Sequence, residues 1–452
     1  MSNNMFERLP ALFRSAVYAL RGGFLVRPLA IALVLGSAGA ILSAMEEEFS
    51  FIGDWIPVLL FPSRQDPGVA QIILGGIATS IMTVVSIVFA ILLMTLTLAS
   101  TQFSPRILIS FVRDRTTQWT LGVFLGTFSY CMAALPAARS LPHPFVPAAT
   151  VSGAMLLALI CVAWLIYFIH HISQSISVNH IVDRIARETE LVIADFLPYA
   201  RGPFGVDDFG DTSRVETDTA VLNRRSGYIR YVDINRLTVL AREYGICIVM
   251  QRRTGHFVPA GVPMMRVSKA ERVPPERQLH LLAAVDIGPT RTLQQDVEFG
   301  IIQIVDIALR AMSPAVNDPS TAISCVDQLS RIIISWLGRE PPKTRYYAPP
   351  HVLRLVVPWI KLSRLVETAF DQIRHYAVAD LAVSLRLIRA CHDIAITTAR
   401  TDERALLAAL ARRVMAGCAR HLPDDELQKL KQRVAALEAD VAELDALAPT
   451  VP

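Results

Sequence analysis

Five hydroxyl-bearing residues, Thr79, Thr83, Ser86, Thr97 and Thr101, fall close to one face of a helix drawn through them, with Ala90 and Met94 between. They sit in a stretch from Pro67 to Pro105 that holds no Asp, Glu, Lys or Arg. A hydroxyl line in an apolar helix has two uses. It can line a water path, or it can bond to its own i−4 carbonyls and to an adjoining helix. A second set of oxygen donors, Asp296, Asn317 and Asp318, suits either a hydrogen-bonded corner or a cation site, and it lacks the spacing of a calcium loop. No phosphate-binding glycine loop, dinucleotide fingerprint, zinc-protease helix or nucleophile elbow is present. The ten His and six Cys are scattered without ligand spacing. These residues predict no enzyme, no cofactor and no resident metal.

The elements that carry the hydroxyls are membrane spans by composition. The chain has 452 residues, 52% of them hydrophobic and 19% charged, with a mean hydropathy of +0.41. That is too apolar for an ordinary soluble protein. Most of the charge follows Asp183, so a helical membrane domain over residues 1–172 precedes a charged cytoplasmic region. About 20 apolar residues cross a bilayer, and four stretches qualify: Leu29–Met45, a part of Val69–Ser100, Trp119–Ala138 and Phe145–Ile169. The second is overlong, so part of it must tilt, project or leave the helix. Arg8, Arg14, Arg21 and Arg27 precede the first span, Arg106, Arg113 and Arg115 follow the second, and Arg184 and Arg187 follow the fourth. Glu46, Glu47, Glu48, Asp54 and Asp66 separate the first two. The positive-inside bias then places both termini and the Arg106–Arg115 loop in the cytoplasm. Arg106, Arg113 and Arg115 would meet anionic lipid there, or draw anions toward a cytoplasmic mouth. The net charge of +4, with arginines flanking spans, gives no sign of nucleic-acid binding.

Close helix contact is written into two spans. Gly122 and Gly126 make a GxxxG step in the third, and Ala32, Gly36 and Ala40 a similar small face in the first. Such faces let backbones approach, more often within a subunit than between subunits. No span core holds a charged residue, which argues against a proton-driven pump and leaves a passive pore open.

The charged half reads as α+β. A helix over 172–197 continues the fourth span, with Ile176, Ile181, Ile185 and Leu191 apolar, and 198–225 is a Gly- and Asp-rich linker. Over 226–335 the pattern predicts a small module: strands at Tyr228–Ile234 and Ile246–Gln251 around a helix at Asn235–Glu243, then turns from Gly255 to Met264 and a strand at Leu279–Ile287. The Gly255–Met264 turns resemble those of small biotin-carrying barrels, without a lysine in a matching hairpin. Thr292 with Gln295 forms a capping box for the next helix, and Ser320 or Thr321 starts the one after. Residues 336–452 are expected to be helical and to end in a heptad seam, Leu427, Leu430, Val434, Leu437, Val441 and Leu444. That seam can pair between subunits or fold back on its own bundle.

Three stretches carry a family likeness: Phe103-Ser104-Pro105-Arg106 through Asp114 and Gln118 to Leu121–Phe128; Tyr167-Phe168-Ile169-His170-His171; and Asp286-Ile287-Gly288 through Arg291-Thr292, Gln295-Asp296 and Phe299-Gly300 to Ser313-Pro314 and Asn317-Asp318-Pro319. In these the chain resembles a bacterial predicted-membrane-protein family known as domain of unknown function twenty-two fifty-four. The resemblance implies inner-membrane placement and transfers no functional residue. The residues themselves point to a homo-oligomeric channel or passive transport protein with a cytoplasmic gating domain. The rival reading is a non-transporting scaffold or sensor that binds a partner or ligand through that domain.

Overall fold

The computed structural model describes residues 26–49, 66–102, 115–139, 145–175, 177–197 and 216–447. They fall into two compact units, the first ending at Ser177 and the second starting at Val178. Arg106 and Arg113 lie outside the described residues, as does most of the linker; Arg115 opens a helix and is exposed.

Among the described residues of the first unit are four helices long and apolar enough to cross a membrane: α1 (Val26–Glu48), α2 (Pro67–Gln102), α3 (Arg115–Ala134) and α4 (Ala148–Ser175). The 36-residue α2 is one continuous helix, about 54 Å long at the usual rise. That is longer than the roughly 30 Å hydrocarbon core of a bilayer. Helix α3 is central and touches the other three. Half of its apolar window is buried, against 17% in each of the others.

The glycines explain why α1 and α3 come so close. A Cβ on Gly122 or Gly126 would lie 2.5 Å from the Cδ1 of Ile31 or Leu35, and one on Gly39 would lie 2.7 Å from the Tyr130 carbonyl oxygen. The GxxxG step thus seats α1 within the chain. On α1 the seated face is Gly36, Gly39 and Ser43 rather than Ala40, which is exposed. Positions 31, 35, 36 and 39 meet 122, 126, 129 and 130 in ascending order, so the two helices run parallel. Gln71, at the start of α2, donates to Ala138 O beyond the end of α3 (2.6 Å), so α2 runs the opposite way. Trp164 Nε1 donates to Thr120 Oγ1 (2.9 Å) and Tyr130 OH to Thr150 O (3.1 Å), joining α3 to α4.

Glu46, read above as a loop acid, is 3% exposed. Its carboxylate accepts from Ala149 N (2.7 Å), Thr150 N (3.0 Å) and Thr150 Oγ1 (3.0 Å). The two amides are orphan donors of the first turn of α4, and a negative charge suits that end of a helix.

The second unit opens with α5 (Val178–Phe196). It is separate from α4, whose end runs into Ser173, Ser175 and Ser177, residues that compete for backbone hydrogen bonds. Ile181 and Ile185 are buried as expected, whereas Leu191 is 63% exposed. Then come β1 (Thr219–Leu222), β2 (Gly227–Val232), α6 (Ile234–Tyr244), β3 (Ile248–Met250), β4 (Phe257–Val258), β5 (Pro263–Val267), α7 (Pro275–Leu282) and β6 (Val285–Gly288). They are followed by α8 (Val297–Ala311), α9 (Pro319–Leu337), β7 (Arg345–Ala348), β8 (Val352–Val356), α10 (Leu362–Tyr376), α11 (Leu381–Ala395), α12 (Thr401–Cys418) and α13 (Asp424–Leu447).

The strands form one five-stranded sheet, β1-β5-β3-β8-β7, and one three-stranded sheet, β4-β2-β6. Strand β8 pairs in parallel with β3 through Ile248–Leu355 and Val249–Val356. The stretch from Arg345 to Val356 is therefore sheet, not the uniform helix expected, and the β module draws strands from both sides of residue 335. The strand expected over Leu279–Ile287 is half helix, because Pro274-Pro275 and Glu276 start α7 there. One apolar core, with Leu237, Ile248, Met264, Met265, Leu281 and Leu355, unites sheet and helices.

Helices α8 and α9 form the centre of the helical part, both packing on α5. Arg331 of α9 holds Glu190 of α5 through Nε (2.9 Å) and Nη2 (2.5 Å), and Asp183 through Nη1 (2.9 Å). The heptad seam of α13 folds back on α11 and α12, burying Leu427, Leu430, Val434, Leu437 and Val441. It is not free for a coiled coil between subunits.

Candidate functional site

The two candidate constellations lie in different units. In the first, Thr79, Thr83, Ser86 and Thr97 of α2 are all exposed, and among the described residues no helix covers that face. Thr101 is in the same helix, but its side chain lies outside the described residues. Thr83 Oγ1 donates to Thr79 O (3.0 Å), Ser86 Oγ to Met82 O (3.0 Å) and Thr97 Oγ1 to Leu93 O (2.9 Å). A Cβ at the neighbouring Gly75 or Gly76 would meet nothing within 4 Å. The hydroxyl hydrogens of Thr83, Ser86 and Thr97 are thus spent on their own helix, and a hydroxyl oxygen that donates in this way can still accept. Thr95, round the helix, is the buried hydroxyl, bonded to Ile91 O (2.8 Å).

In the second unit the three oxygen donors do not meet. Asp296 caps the N-terminus of α8 by accepting from Phe299 N (3.2 Å), and Asp318 caps α9 by accepting from Thr321 N (3.1 Å) and Thr321 Oγ1 (2.6 Å). Helix α8 stands between them, about 22 Å long, so they share no cation. Asn317 takes the left-handed turn between the two helices, at φ 47°. Each carboxylate is a helix corner. Thr292 and Gln295 are not the capping box expected: Asp296 takes the cap, and Gln295 instead accepts from Val232 N (2.8 Å) and Thr254 Oγ1 (3.1 Å) and donates to Val232 O (3.3 Å). It ties β2 to the start of α8.

Around Asp296 the fold builds a clasp that the spacing did not show. Arg291 holds Asp296 with two bonds, Nε to Oδ2 (2.7 Å) and Nη2 to Oδ1 (2.9 Å). Its Nη2 also reaches Glu298 (3.0 Å), which accepts from Arg253 Nη2 (3.0 Å) and pairs with Arg364 (3.4 Å). The Asp296 and Glu298 side chains are 2% and 6% exposed. Gly255 makes room for this, because a Cβ there would lie 2.4 Å from Asp296 Oδ2 and its φ is +87°. A void of about 20 Å³ beside the clasp, walled by Phe196, Trp336 and Trp359, has space for one water. Both carboxylates are occupied by guanidinium groups, which leaves no ligand set for a metal. Among the described residues no cluster of His, Cys, Asp or Glu could hold one. The chemistry available is cohesion: β module, α8 and α10 are held at one buried point. Arg291-Thr292 and Gln295-Asp296 were visible as a motif, but Arg253, Glu298 and Arg364 join it only through the tertiary fold.

Burial alone would push the Glu298 carboxyl up, but Arg253 and Arg291 outweigh it and hold it below its ordinary value of 4.5. Burial, and then Arg253, pull neighbouring His256 below its ordinary 6.5. Both groups bind fewer protons folded than unfolded, so stability falls as pH falls. Thermal transitions of the purified protein should be highest above pH 6.5, begin to drop below it as His256 charges, and drop again below 4.5 as Glu298 protonates. His256→Gln should remove the first decline. A transition level from neutrality to pH 4.5 would contradict the assignment.

Fold and site together define a protein with four apolar helices of membrane-spanning length and an α+β unit tied by a buried ionic clasp. The chain belongs to the family described as predicted membrane protein (DUF2254), whose model matches residues 21–393. It is similar to uncharacterized proteins of Mycobacterium bovis and Mycobacterium tuberculosis, each 30% identical over 441 residues, covering 94% of this chain and 81% of the relative. No solved structure matches it.

Proposed function

We propose that the protein is a homo-oligomeric inner-membrane channel or passive transport protein, with the α2 hydroxyl face lining the path and the second unit acting as a cytoplasmic gate. The observation that carries this reading is that Thr79, Thr83, Ser86 and Thr97 are exposed along one charge-free helix. A hydroxyl line turned to hydrocarbon gains nothing from its spare lone pairs, whereas water or a permeant ion uses them. Several copies around an axis would bring these faces together. The arginine distribution favours cytoplasmic termini, and Arg106, Arg113 and Arg115 would then flank the inner mouth. Ion flux into proteoliposomes tests it. Flux is expected in the wild type and is expected to fall when Thr83, Ser86 and Thr97 are changed together to Val. Absence of flux, or flux indifferent to those changes, would refute the pore.

The self-satisfied hydroxyls support a second reading, a non-transporting scaffold or sensor whose α2 faces lipid. That reading expects a monomer in native mass measurement and no flux.

A further inference from the structure

Arg224, Arg225 and Arg252 of the second unit are exposed, and among the described residues no hydrogen bond or ion pair engages their side chains. Arg253 does not join them, being committed to Glu298. The sheet brings the three to one end. Strands β1 and β3 both run antiparallel to β5, so they run the same way and leave the sheet together, about 10 Å apart. Arg224 and Arg252 each stand two residues past the end of their strand. The turn that leads from β4 back to β5 is stitched to the same end. Asn223 Nδ2 donates to Val258 O (3.0 Å), and Asn223 O accepts from Gly261 N (2.8 Å).

Two large apolar side chains stand among these turns, Leu222 at 47% exposure and Phe257 at 51%. Phe257 lies opposite Tyr228 in the β2–β4 ladder, and their rings meet edge to face at 5.2 Å. No Asp or Glu occurs in 222–232 or 251–266, the stretches that build this end. Asp296, which the fold brings against Gly255, is buried in the clasp. Free cations set among exposed apolar side chains suit the interfacial layer of a bilayer with negative headgroups. Arginine meets phosphate there, and the apolar groups enter the acyl boundary. A nucleic acid would use the charges and could stack on Phe257, but it has no use for Leu222.

We infer that this end of the β module docks on an anionic lipid surface through Arg224, Arg225 and Arg252, with Leu222 and Phe257 entering the interface. The four apolar helices of the same chain keep such a surface at hand, so even a weak attraction is effective. The inference is independent of transport: flux can fail while docking holds, and the reverse.

The test uses the full-length protein in lipid nanodiscs, with an environment-sensitive fluorophore attached through Ala260→Cys in the exposed turn and the signal of the unaltered chain subtracted. In discs of equal parts phosphatidylcholine and phosphatidylglycerol, emission should shift to the blue and be quenched by nitroxide-bearing lipid. In discs of phosphatidylcholine alone it should do neither. Changing Arg224, Arg225 and Arg252 together to Gln should lower the docked-to-free ratio on the order of a hundredfold, since each arginine near an anionic surface is worth about fivefold. Phe257→Ser, with the arginines kept, should lower it about tenfold by withdrawing the ring from the interface. Both variants should keep the unfolding transition of the wild type, because the changed side chains are exposed. Emission that is the same in the two kinds of disc overturns the proposal, as does a response that survives loss of the three arginines. Indifference to Phe257→Ser overturns the entry of the apolar side chains. If a single-stranded oligonucleotide moves the probe in neutral discs while negative lipid does not, the lipid reading falls and this end is a nucleic-acid surface.

Discussion

Replacing Gly300 with alanine is expected to destabilise the second unit by about 3 kcal/mol, at the upper end for overpacking by a single methyl group. A Cβ at that position of α8 would lie 2.0 Å from Thr189 Oγ1 and 3.0 Å from its Cβ and Cγ2. Thr189 cannot step aside. It is fully buried in α5, its side chain is β-branched and stiff, and its hydroxyl is bonded to Ile185 O (2.7 Å). Either α5 and α8 part, or the alanine distorts α8 just past its Asp296 cap. Thr189→Ala in the same chain should recover part of the loss by removing Oγ1 and Cγ2. Thermal or denaturant unfolding of the single and double variants measures both effects. An unchanged transition in Gly300→Ala would mean that α5 and α8 do not cross as described.

Glu46→Ala should cost about 3 kcal/mol in the first unit, because it strips a buried carboxylate from three donors in the first turn of α4. Those donors would be left in a site with little access to water, where unmet backbone groups are expensive. Glu46→Gln keeps one acceptor oxygen and should fall between the two. Glu47, whose carboxylate is 43% exposed and pairs with Arg139, is the control: Glu47→Ala should cost less than about 1 kcal/mol. Resistance to heating in detergent micelles ranks the four proteins. Equal losses for Glu46→Ala and Glu47→Ala would remove the capping role.

What was legible in the sequence follows the range of the interaction. Hydropathy alone located four helices that could span a membrane, and the Gly122–Gly126 step announced a close contact, because both signals are local. The partners Ile31 and Leu35 lie some ninety residues away and left no mark at Gly122. Glu46 looked like a loop acid because the helix start it caps is 103 residues further on. Strand β8 was hidden in the same way: its parallel partner β3 lies a hundred residues earlier, and Val352-Leu353-Arg354-Leu355 suits a helix as well as a strand. Asp296 displaced Thr292 as the cap because Arg291 draws its carboxylate into the clasp, and Arg253 and Arg364 come from elements that periodicity does not connect. The heptad seam fixed which face of α13 is apolar but not whose surface covers it.

For the hydroxyl line the sequence supplied the residues and the fold supplied their exposure; water is the remaining term. Single cysteines in place of Thr79, Thr83, Ser86 and Thr97, treated with a charged thiol reagent in native membranes, measure it directly. A water-lined path is expected to give labelling at these positions above the wild-type background and above a cysteine at Phe89, which is exposed beside the line on the same helix. Labelling at Thr83 and Ser86 no greater than at Phe89 would place the face in lipid and contradict the channel.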